Sequence, residues 1–223
     1  MKRPPSTPPI RLERATLEGF GRVLLEETSW QVERGRVTVV IGPAGTGKSA
    51  LLRALGARAP REFKLGGTWL FAGKRATPTT QKRVAFVPQL ATGGQRTLAD
   101  IVNLVDPTRH DVILLDEPDH GLSGADLREL SLRIDSWKRG RAVLVVTHNL
   151  EFARRIGDDA ALLCAARLRA TGALAEVFGG QRRVDAGADR TCDDQHVAPD
   201  RQGTHRTITS PLMSCGWSVQ MKW

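Results

Sequence analysis

The stretch GPAGTGKS, from Gly42 to Ser49, constrains the fold of this chain more than any other. It follows the β-branched run RVTVVI (36–41) and leads into the helix-like stretch SALLRALGAR (49–58). In this strand–loop–helix context, glycines let successive backbone N–H groups turn toward a phosphate chain, and the helix N-terminus adds partial positive charge. The pattern predicts a nucleoside triphosphate site whose phosphate-binding residues are Gly42, Pro43, Ala44, Gly45, Thr46, Gly47, Lys48 and Ser49. Lys48 is expected to reach the β- and γ-phosphates, and the Ser49 hydroxyl to ligate Mg²⁺.

Several short apolar runs have the pattern of strands buried on both faces. They are residues 36–42, 83–88, 111–118 and 142–148. Between them, the helical spacing of Leu127, Leu130, Ile134 and Trp137 predicts a helix over residues 123–140. Strands that alternate with helices indicate an α/β fold with a parallel sheet. An earlier section, residues 12–35, has the pattern of alternating strands joined by tight turns.

Two further stretches place polar side chains at the ends of buried strands. VILLDEP (112–118) ends in adjacent carboxylates, which would lie beside the phosphate loop in an open α/β sheet. There Asp116 is suited to hold Mg²⁺, and Glu117 to polarise a water for attack on the γ-phosphate. His148, in VVTHNLEFA (145–153), ends another predicted strand within reach of a γ-phosphate oxygen. A lone histidine at a strand end is usually structural. Here the order and spacing of His148 relative to the other motifs favour a functional interpretation.

Composition bounds the remaining possibilities. The 223 residues suit a single domain, and with only 5% aromatic residues and no Tyr, stacking platforms for nucleic acid are not indicated. The N-terminal MKRPPSTPPIR lacks the apolar segment of a signal peptide. No apolar run approaches the roughly 20 residues that span a bilayer, so we expect an intracellular protein whose membrane role, if it has one, is peripheral. The predicted organisation is a flexible N-terminus (1–9), one domain (10–180) and a patternless, disordered tail (181–223).

Together these stretches resemble the nucleotide-binding domain of ATP-binding cassette (ABC) proteins, from about Ile10 to Gly180. GPAGTGKS matches the family's Walker A motif and VILLDE its Walker B motif, which makes Glu117 the catalytic base by resemblance. VPQ matches the glutamine loop, so Gln89 would contact Mg²⁺ and the attacking water. VTH matches the switch histidine, His148. Phe20, in GFG, matches the aromatic residue that stacks on adenine.

Two more stretches extend the resemblance toward both ends of the domain. GGTWLFAGK (66–74) is similar to the family's small antiparallel sheet. LLCAARLRATGALAEVF (162–178) is similar to the strand, glycine turn and helix that finish the cassette. The implied fold is a P-loop NTPase with a mostly parallel sheet plus a small antiparallel β subdomain.

The resemblance also implies ligands and partners. ATP and Mg²⁺ would be bound, and ATP hydrolysis would be coupled to transport through separate transmembrane permease subunits. The chain would then work at the cytoplasmic face of the membrane with a second cassette, as a homodimer or a heterodimer, and without nucleic acid. The alternative is a degenerate or regulatory module that binds ATP with little hydrolysis and no transport role.

The chain departs from the family between the glutamine loop and Walker B, where the family carries a helical subdomain that presents an LSGGQ-like signature. Only residues 90–115 lie between Gln89 and Asp116, so this subdomain is expected to be largely absent. In one alignment ATGGQR (91–96) is a degenerate signature. In the other, TLADIVNL (97–104) is the helix after the glutamine loop and the GGQ of residues 93–95 is only loop. The spacing favours the second alignment.

A second departure follows Walker B. The family's D-loop carries an Asp at the place where this chain has Ser123, and Asp126 is displaced from it. The LSG of residues 122–124 imitates the signature on the wrong side of Walker B, so we expect it to be loop.

Overall fold

The computed structural model of the protein describes residues 8–56, 58–75, 82–90 and 96–179. The elements of this part of the chain are β1 (Ile10–Gly19), β2 (Arg22–Val32), β3 (Arg36–Ile41), α1 (Lys48–Leu55), β4 (Lys64–Phe71), β5 (Lys74–Arg75), β6 (Val84–Val87), α2 (Leu98–Val102), β7 (Val112–Asp116), α3 (Gly124–Trp137), β8 (Ala142–Val146), α4 (Leu150–Ile156), β9 (Asp159–Cys164), β10 (Arg167–Ala173) and α5 (Leu174–Gly179). Three sequence predictions, the flexible N-terminus (1–9), the disordered tail and the role of the GGQ of residues 93–95, concern residues that lie outside the described ranges, except for Pro8 and Pro9.

The centre of the fold is a six-stranded sheet with the order β10-β9-β3-β8-β7-β6. The strands from β9 to β6 are all parallel, and β10 adds an antiparallel edge. Residues of β7 and β8 are buried on both faces, which is why their sequences are continuous apolar runs. The predicted mostly parallel α/β sheet is therefore confirmed.

Alternate side chains of each central strand enter two different cores. In β7, Val112 and Leu114 belong to the core shared with α1 and the small sheet. Ile113 and Leu115 belong to the opposite core, shared with α2, α3, α4 and α5. The period of two along a strand thus places one helix with the small sheet on one face, and the remaining helices on the other.

The small antiparallel sheet has the order β2-β1-β4-β5. Its first hairpin turns at Phe20 and Gly21, whose φ angles of 55° and 72° are both positive. Two positive φ angles in succession match the twist of a two-residue hairpin. The turn brings Phe20 to the edge of the sheet, and the predicted antiparallel subdomain is confirmed.

The end of the domain has a strand, a glycine and a helix in the order that the resemblance implies. Gly172, with φ of 148°, is the next-to-last residue of β10, and α5 begins directly after that strand at Leu174. The turn between β9 and β10 is made by Ala165 and Ala166, with φ angles of 47° and 59°. Hairpin pairing from Arg167 opposite Cys164 onward closes this turn without glycine.

Between Gln89 and Asp116 the described residues form one helix, α2, of five residues. Thr97 caps it in a reciprocal arrangement with Asp100, so the helix begins where the second alignment places one. This short segment is consistent with the expected loss of the helical subdomain. In the part of the chain that the structure describes, no helix is both long and apolar enough to cross a membrane.

Candidate nucleotide-binding site

A cleft of about 480 Å³ opens at the carboxyl ends of the parallel strands. Parallel strands present their carboxyl ends at one edge, so the loops after β3, β6, β7 and β8 meet there. The cleft is lined by Phe20, Arg22, Leu24, Ala44, Gly45, Gly47, Lys48, Ser49, Ala50, Arg53, Phe63, Gln89, Glu117 and His148. The other sequence-predicted site residues, Gly42, Pro43, Thr46 and Asp116, do not line it. The structure thus brings most of the predicted site together.

The loop between β3 and α1 needs glycine where it passes the neighbouring strand. Gly42 has φ of 150°, and a Cβ there would lie 2.0 Å from the carbonyl oxygen of Leu163 in β9. Gly47, which precedes α1, has φ of 99°. The Thr46 hydroxyl donates to the Pro43 carbonyl at 2.9 Å and closes the loop on itself. These constraints give the loop one compact conformation around the start of α1.

Lys48 is buried within this loop, with 4% of its surface exposed. Its Nζ donates hydrogen bonds to the carbonyl oxygens of Gly42 at 2.9 Å and Pro43 at 2.7 Å. Burial lowers the pKa of Lys48, while the charges of Glu117 and Asp116 oppose that change. The ammonium group is held beside the loop by carbonyl acceptors that phosphate oxygens can replace.

Asp116 lies fully buried at the end of β7. Its Oδ1 accepts a 2.9 Å hydrogen bond from Ser49 Oγ, and its Oδ2 has no hydrogen-bond partner among the described residues. Burial raises the pKa of this carboxyl, and the neighbouring Glu117 adds to the effect. An orphaned carboxylate oxygen beside a serine hydroxyl fits Mg²⁺, which is commonly held by one or two carboxylates together with substrate phosphates.

Glu117 follows Asp116 at the first position after the strand. Its φ of 46° is positive, and its backbone N–H donates to the Val146 carbonyl at 2.9 Å. Gln89 Nε2 donates to one carboxylate oxygen at 2.8 Å, and His148 Nε2 lies 3.0 Å from the other. Residues from the loops after β6, β7 and β8 therefore converge on a single carboxylate at the cleft.

Arg96 positions the loop that carries Gln89. Its guanidinium donates to the carbonyl of Pro88, and burial lowers its pKa. Arg96 is 9% exposed, and one terminal nitrogen of its guanidinium has no partner in the part of the chain that the structure describes. Because Pro88 immediately precedes Gln89, this contact fixes the direction in which the glutamine enters the cleft.

Phe20 lies at the opposite end of the cleft, with 69% of its surface exposed. Its ring meets the buried ring of Phe63 edge to face, with centroids 5.0 Å apart. Gly19 leaves room for this contact, because a Cβ there would lie 2.7 Å from Phe63. The aromatic pair gives Phe20 a supported position from which to contact a ligand.

Phe63 and Arg22 also line this cleft, although the sequence did not predict them there. No periodicity in the sequence marks Phe63, which lies in the connection before β4. Arg22 carries a weak signal, since it stands two residues after Phe20 across a tight turn. Its guanidinium donates to the carbonyl of Gly45 at 2.7 Å, which joins the small sheet to the loop.

The segment after Glu117 holds another buried carboxylate. Asp119 Oδ1 has no hydrogen-bond partner within the described ranges. Burial raises the pKa of this carboxyl against an opposing hydrogen bond from Thr147. Ser123, at the family's D-loop position, instead accepts from the backbone N–H of Asp126 and caps α3. The LSG of residues 122–124 is therefore loop only as far as Ser123, because Gly124 is the first helical residue.

Fold and site define a P-loop nucleotide-binding domain. A family model described as an AAA domain matches residues 32–153. The zinc import ATP-binding protein ZnuC of Halorhodospira halophila is 25% identical over 89% of this chain and 94% of its own. The phosphate import ATP-binding protein PstB 1 of Vibrio cholerae is 26% identical over 71% and 81%. The hemin import ATP-binding protein HmuV of Agrobacterium fabrum is 26% identical over 73% and 85%.

A solved structure described as the ATP-binding subunit of an ABC transporter superimposes with a TM-score of 0.60 at 20% identity. The match covers 76% of this chain and 93% of that one, and it supports the likeness of fold. The chain therefore belongs to the AAA-domain family of P-loop proteins and, within them, to the ABC-type ATP-binding cassettes.

The comparison with the zinc import protein also bears on the shortened middle. Its alignment runs over 255 positions, which is more than the 223 residues of the whole chain. The alignment therefore includes positions at which the relative has residues and this chain has none. The relative is thus longer than this chain over the aligned region.

Proposed function

We propose that this chain is the ATP-binding subunit of an ABC transporter, which binds Mg·ATP in the cleft and couples its hydrolysis to transport through separate membrane subunits. The observation that carries the proposal is the convergence of Gln89 and His148 on the Glu117 carboxylate. The import ATP-binding proteins to which the chain is similar support the same role.

Each part of the cleft has a distinct task in this proposal. Phe20 offers an exposed ring for the adenine base, and the loop of residues 42–49 offers backbone N–H groups for the phosphates. Lys48 transfers its hydrogen bonds from loop carbonyls to phosphate oxygens when the nucleotide binds. Because each carbonyl is replaced by a charged acceptor, these bonds become shorter and stronger.

The proposed Mg²⁺ ligands are Ser49, Gln89 and Asp116. These residues would hold the ion, which would supply positive charge beside the phosphates. The unpartnered Oδ2 of Asp116 supports this assignment, because a fully buried carboxylate without a cation is costly. The Ser49 hydroxyl already lies beside the same carboxylate.

Glu117 is the proposed general base, and it orients and deprotonates the water that attacks the γ-phosphate. The hydrogen bond from Gln89 and the contact with His148 restrain both carboxylate oxygens before substrate arrives. Such restraint reduces the reorganisation needed in the transition state. His148, half exposed beside Glu117, is placed to contact the γ-phosphate in the same step.

The proposed partners are permease subunits at the cytoplasmic face of the membrane and a second cassette. In the family, two cassettes pack head to tail, and the signature of one completes the ATP site of the other. The brevity of residues 90–115 leaves little room for a signature, so the alternative is a degenerate or regulatory module that binds ATP without transport.

Two measurements separate these functions. Equilibrium binding of a fluorescent ATP analogue tests whether the cleft holds nucleotide at all. Affinity purification of the tagged full chain from detergent-solubilised membranes tests the partners. Recovery of a membrane-spanning permease together with a second cassette supports the transporter subunit. A chain that binds ATP but is recovered without either partner supports the regulatory alternative, and a chain that binds no nucleotide contradicts both.

A further inference from the structure

Arg22 lies between the aromatic and phosphate-binding ends of the cleft. It is the first residue of β2 and follows Phe20 by two positions. Its side chain lines the cleft and donates a 2.7 Å hydrogen bond to the carbonyl of Gly45 in the phosphate loop. The guanidinium therefore lies between Phe20, the proposed contact for the adenine base, and the phosphate-binding loop.

The backbone holds Arg22 in this position. The hairpin turn at Phe20 and Gly21 has two positive φ angles, which set the direction in which β2 starts. Farther along β2, the carbonyl of Leu24 packs against the loop, since a Cβ at Gly47 would lie 3.2 Å from it. The beginning of β2 is thus packed against the phosphate loop, and Arg22 is not a freely placed surface residue.

No carboxylate within the described residues is paired with the charge of Arg22. Several other arginines form ion pairs, such as Arg14 with Glu27 and Arg36 with Asp159, but Arg22 forms none within the described ranges. A guanidinium carries five N–H donors in a planar fork that suits phosphate oxygens. The bond to Gly45 uses one of these donors, which leaves others for a ligand in the cleft that Arg22 lines.

We propose that Arg22 is a further nucleotide-binding residue, which donates to the phosphate oxygens nearest the ribose and keeps its bond to Gly45. This inference rests on the proposed function, because it assigns a residue to the same nucleotide site. Arg22 lies on the side of the loop toward Phe20, whereas Lys48 lies toward Glu117 and Asp116. The two cations would therefore hold opposite ends of the phosphate chain.

The test measures ATP and ADP affinity for the full chain and for Arg22→Ala, Arg22→Lys and the control Arg11→Ala. Arg11 is an exposed arginine of β1 paired with Glu13, outside the cleft lining. Arg22→Ala should weaken both nucleotides by about tenfold, as expected for loss of a charge-assisted contact. Arg22→Lys should lose less, and Arg11→Ala should bind like the parent. The defect of Arg22→Ala should also shrink as salt is raised, because the lost contact is partly exposed.

Unchanged affinity for ATP and ADP in Arg22→Ala would overturn the assignment. A loss that is independent of salt and equally large in Arg22→Lys would make Arg22 a tether for Gly45 and overturn the phosphate contact. A loss for ATP alone would place the contact at the γ-phosphate and contradict the proposed position. Absence of nucleotide binding in both the parent and Arg11→Ala would instead reject the proposed function on which the inference rests.

Discussion

Ser49 Oγ and Asp116 Oδ1 lie 2.9 Å apart, and this hydrogen bond joins two motifs that are 67 residues apart in the sequence. Ser49 is the second residue of α1, the helix after the phosphate loop, and Asp116 ends the central strand β7. The other oxygen of Asp116 has no hydrogen-bond partner among the residues that the structure describes. The pair therefore sets the place where a cation would meet both the loop and the sheet.

Replacing Lys48 by alanine should weaken nucleotide binding by roughly ten- to a hundredfold, because it removes a charge-assisted contact worth ~1.5–3 kcal/mol. The measurement is titration with a fluorescent ATP analogue in the presence of Mg²⁺. Lys64→Ala is the matched control, since Lys64 is an exposed lysine of β4 outside the cleft lining. Equal affinities for the parent and Lys48→Ala would contradict the assigned phosphate site.

Glu117→Gln should retain ATP binding but lower any hydrolysis by about a hundredfold or more, because the shape of the side chain is kept while the base is lost. Asp116→Asn should in addition weaken Mg²⁺ retention, since a neutral amide replaces the buried anion. Both variants are compared by ATPase rate, measured with the partner cassette once it is identified, and by Mg²⁺-dependent nucleotide binding. Hydrolysis at the parental rate by both variants would refute the assignment of these carboxylates.

Gly42→Ala should destabilise the fold by on the order of 2–4 kcal/mol, because the new methyl group would collide with the carbonyl of Leu163. That collision would separate the phosphate loop from β9, so nucleotide binding should fall as well. Gly45→Ala is the control: its φ of 74° is also positive, but nothing lies within 4 Å of the position that its methyl group would take. Gly45→Ala should lower the free energy of unfolding by only ~1–2 kcal/mol, which is the cost of placing alanine in a left-handed conformation. Urea unfolding checks both, and similar midpoints would show that the close approach to Leu163 is unimportant.

Asp111→Asn should lower stability near pH 7 by about 1 kcal/mol or less. The hydrogen bond from Arg83 holds the pKa of Asp111 below its ordinary value, with Arg34 and Arg141 adding smaller effects. The sign follows from the lowered pKa: the stabilisation is present above about pH 3.9, the ordinary value, and is lost as pH falls through the lowered one.

The stability difference between Asp111→Asn and the parent should therefore close in strong acid. Urea unfolding at several pH values measures it. Glu13→Gln, in an exposed pair with Arg11, serves as the control and should change little at any pH. A difference for Asp111→Asn that persists unchanged below about pH 3 would mean that the ion pair with Arg83 is not its source.

The fold was predictable where burial on both faces leaves a continuous apolar pattern, as in β7 and β8. The convergence of the residues that follow these strands was also predictable, because parallel strands end at one edge of the sheet. Arg22 and Phe63 were not, since their places depend on how the small sheet packs against the loop. The positive φ of Glu117 and the alanine turn before β10 also follow from tertiary pairing rather than from local preference.

The isolated chain should hydrolyse ATP very slowly or not at all, because the GGQ of residues 93–95 is not expected to act as a signature. In the family, a signature supplies a helix N-terminus and backbone donors to the γ-phosphate across the dimer interface. Loss of one such preorganised donor can lower the rate by about a hundredfold or more, and here the whole element is affected. The GGQ itself lies outside the described residues, so this prediction rests on the brevity of the segment and on the five-residue helix α2.

A complete partner cassette should change this outcome. Its signature could close over the Lys48, Glu117 and His148 of this chain and give one competent site of two. The measurement is the ATPase rate of the purified chain alone, with Gly94→Asp tested alongside it. We expect a slow ATPase rate that is the same in the parent and in Gly94→Asp, because Gly94 would then take no part in hydrolysis. Robust hydrolysis by the parent that disappears in Gly94→Asp would show that the GGQ is a working signature, presented without the usual helical subdomain.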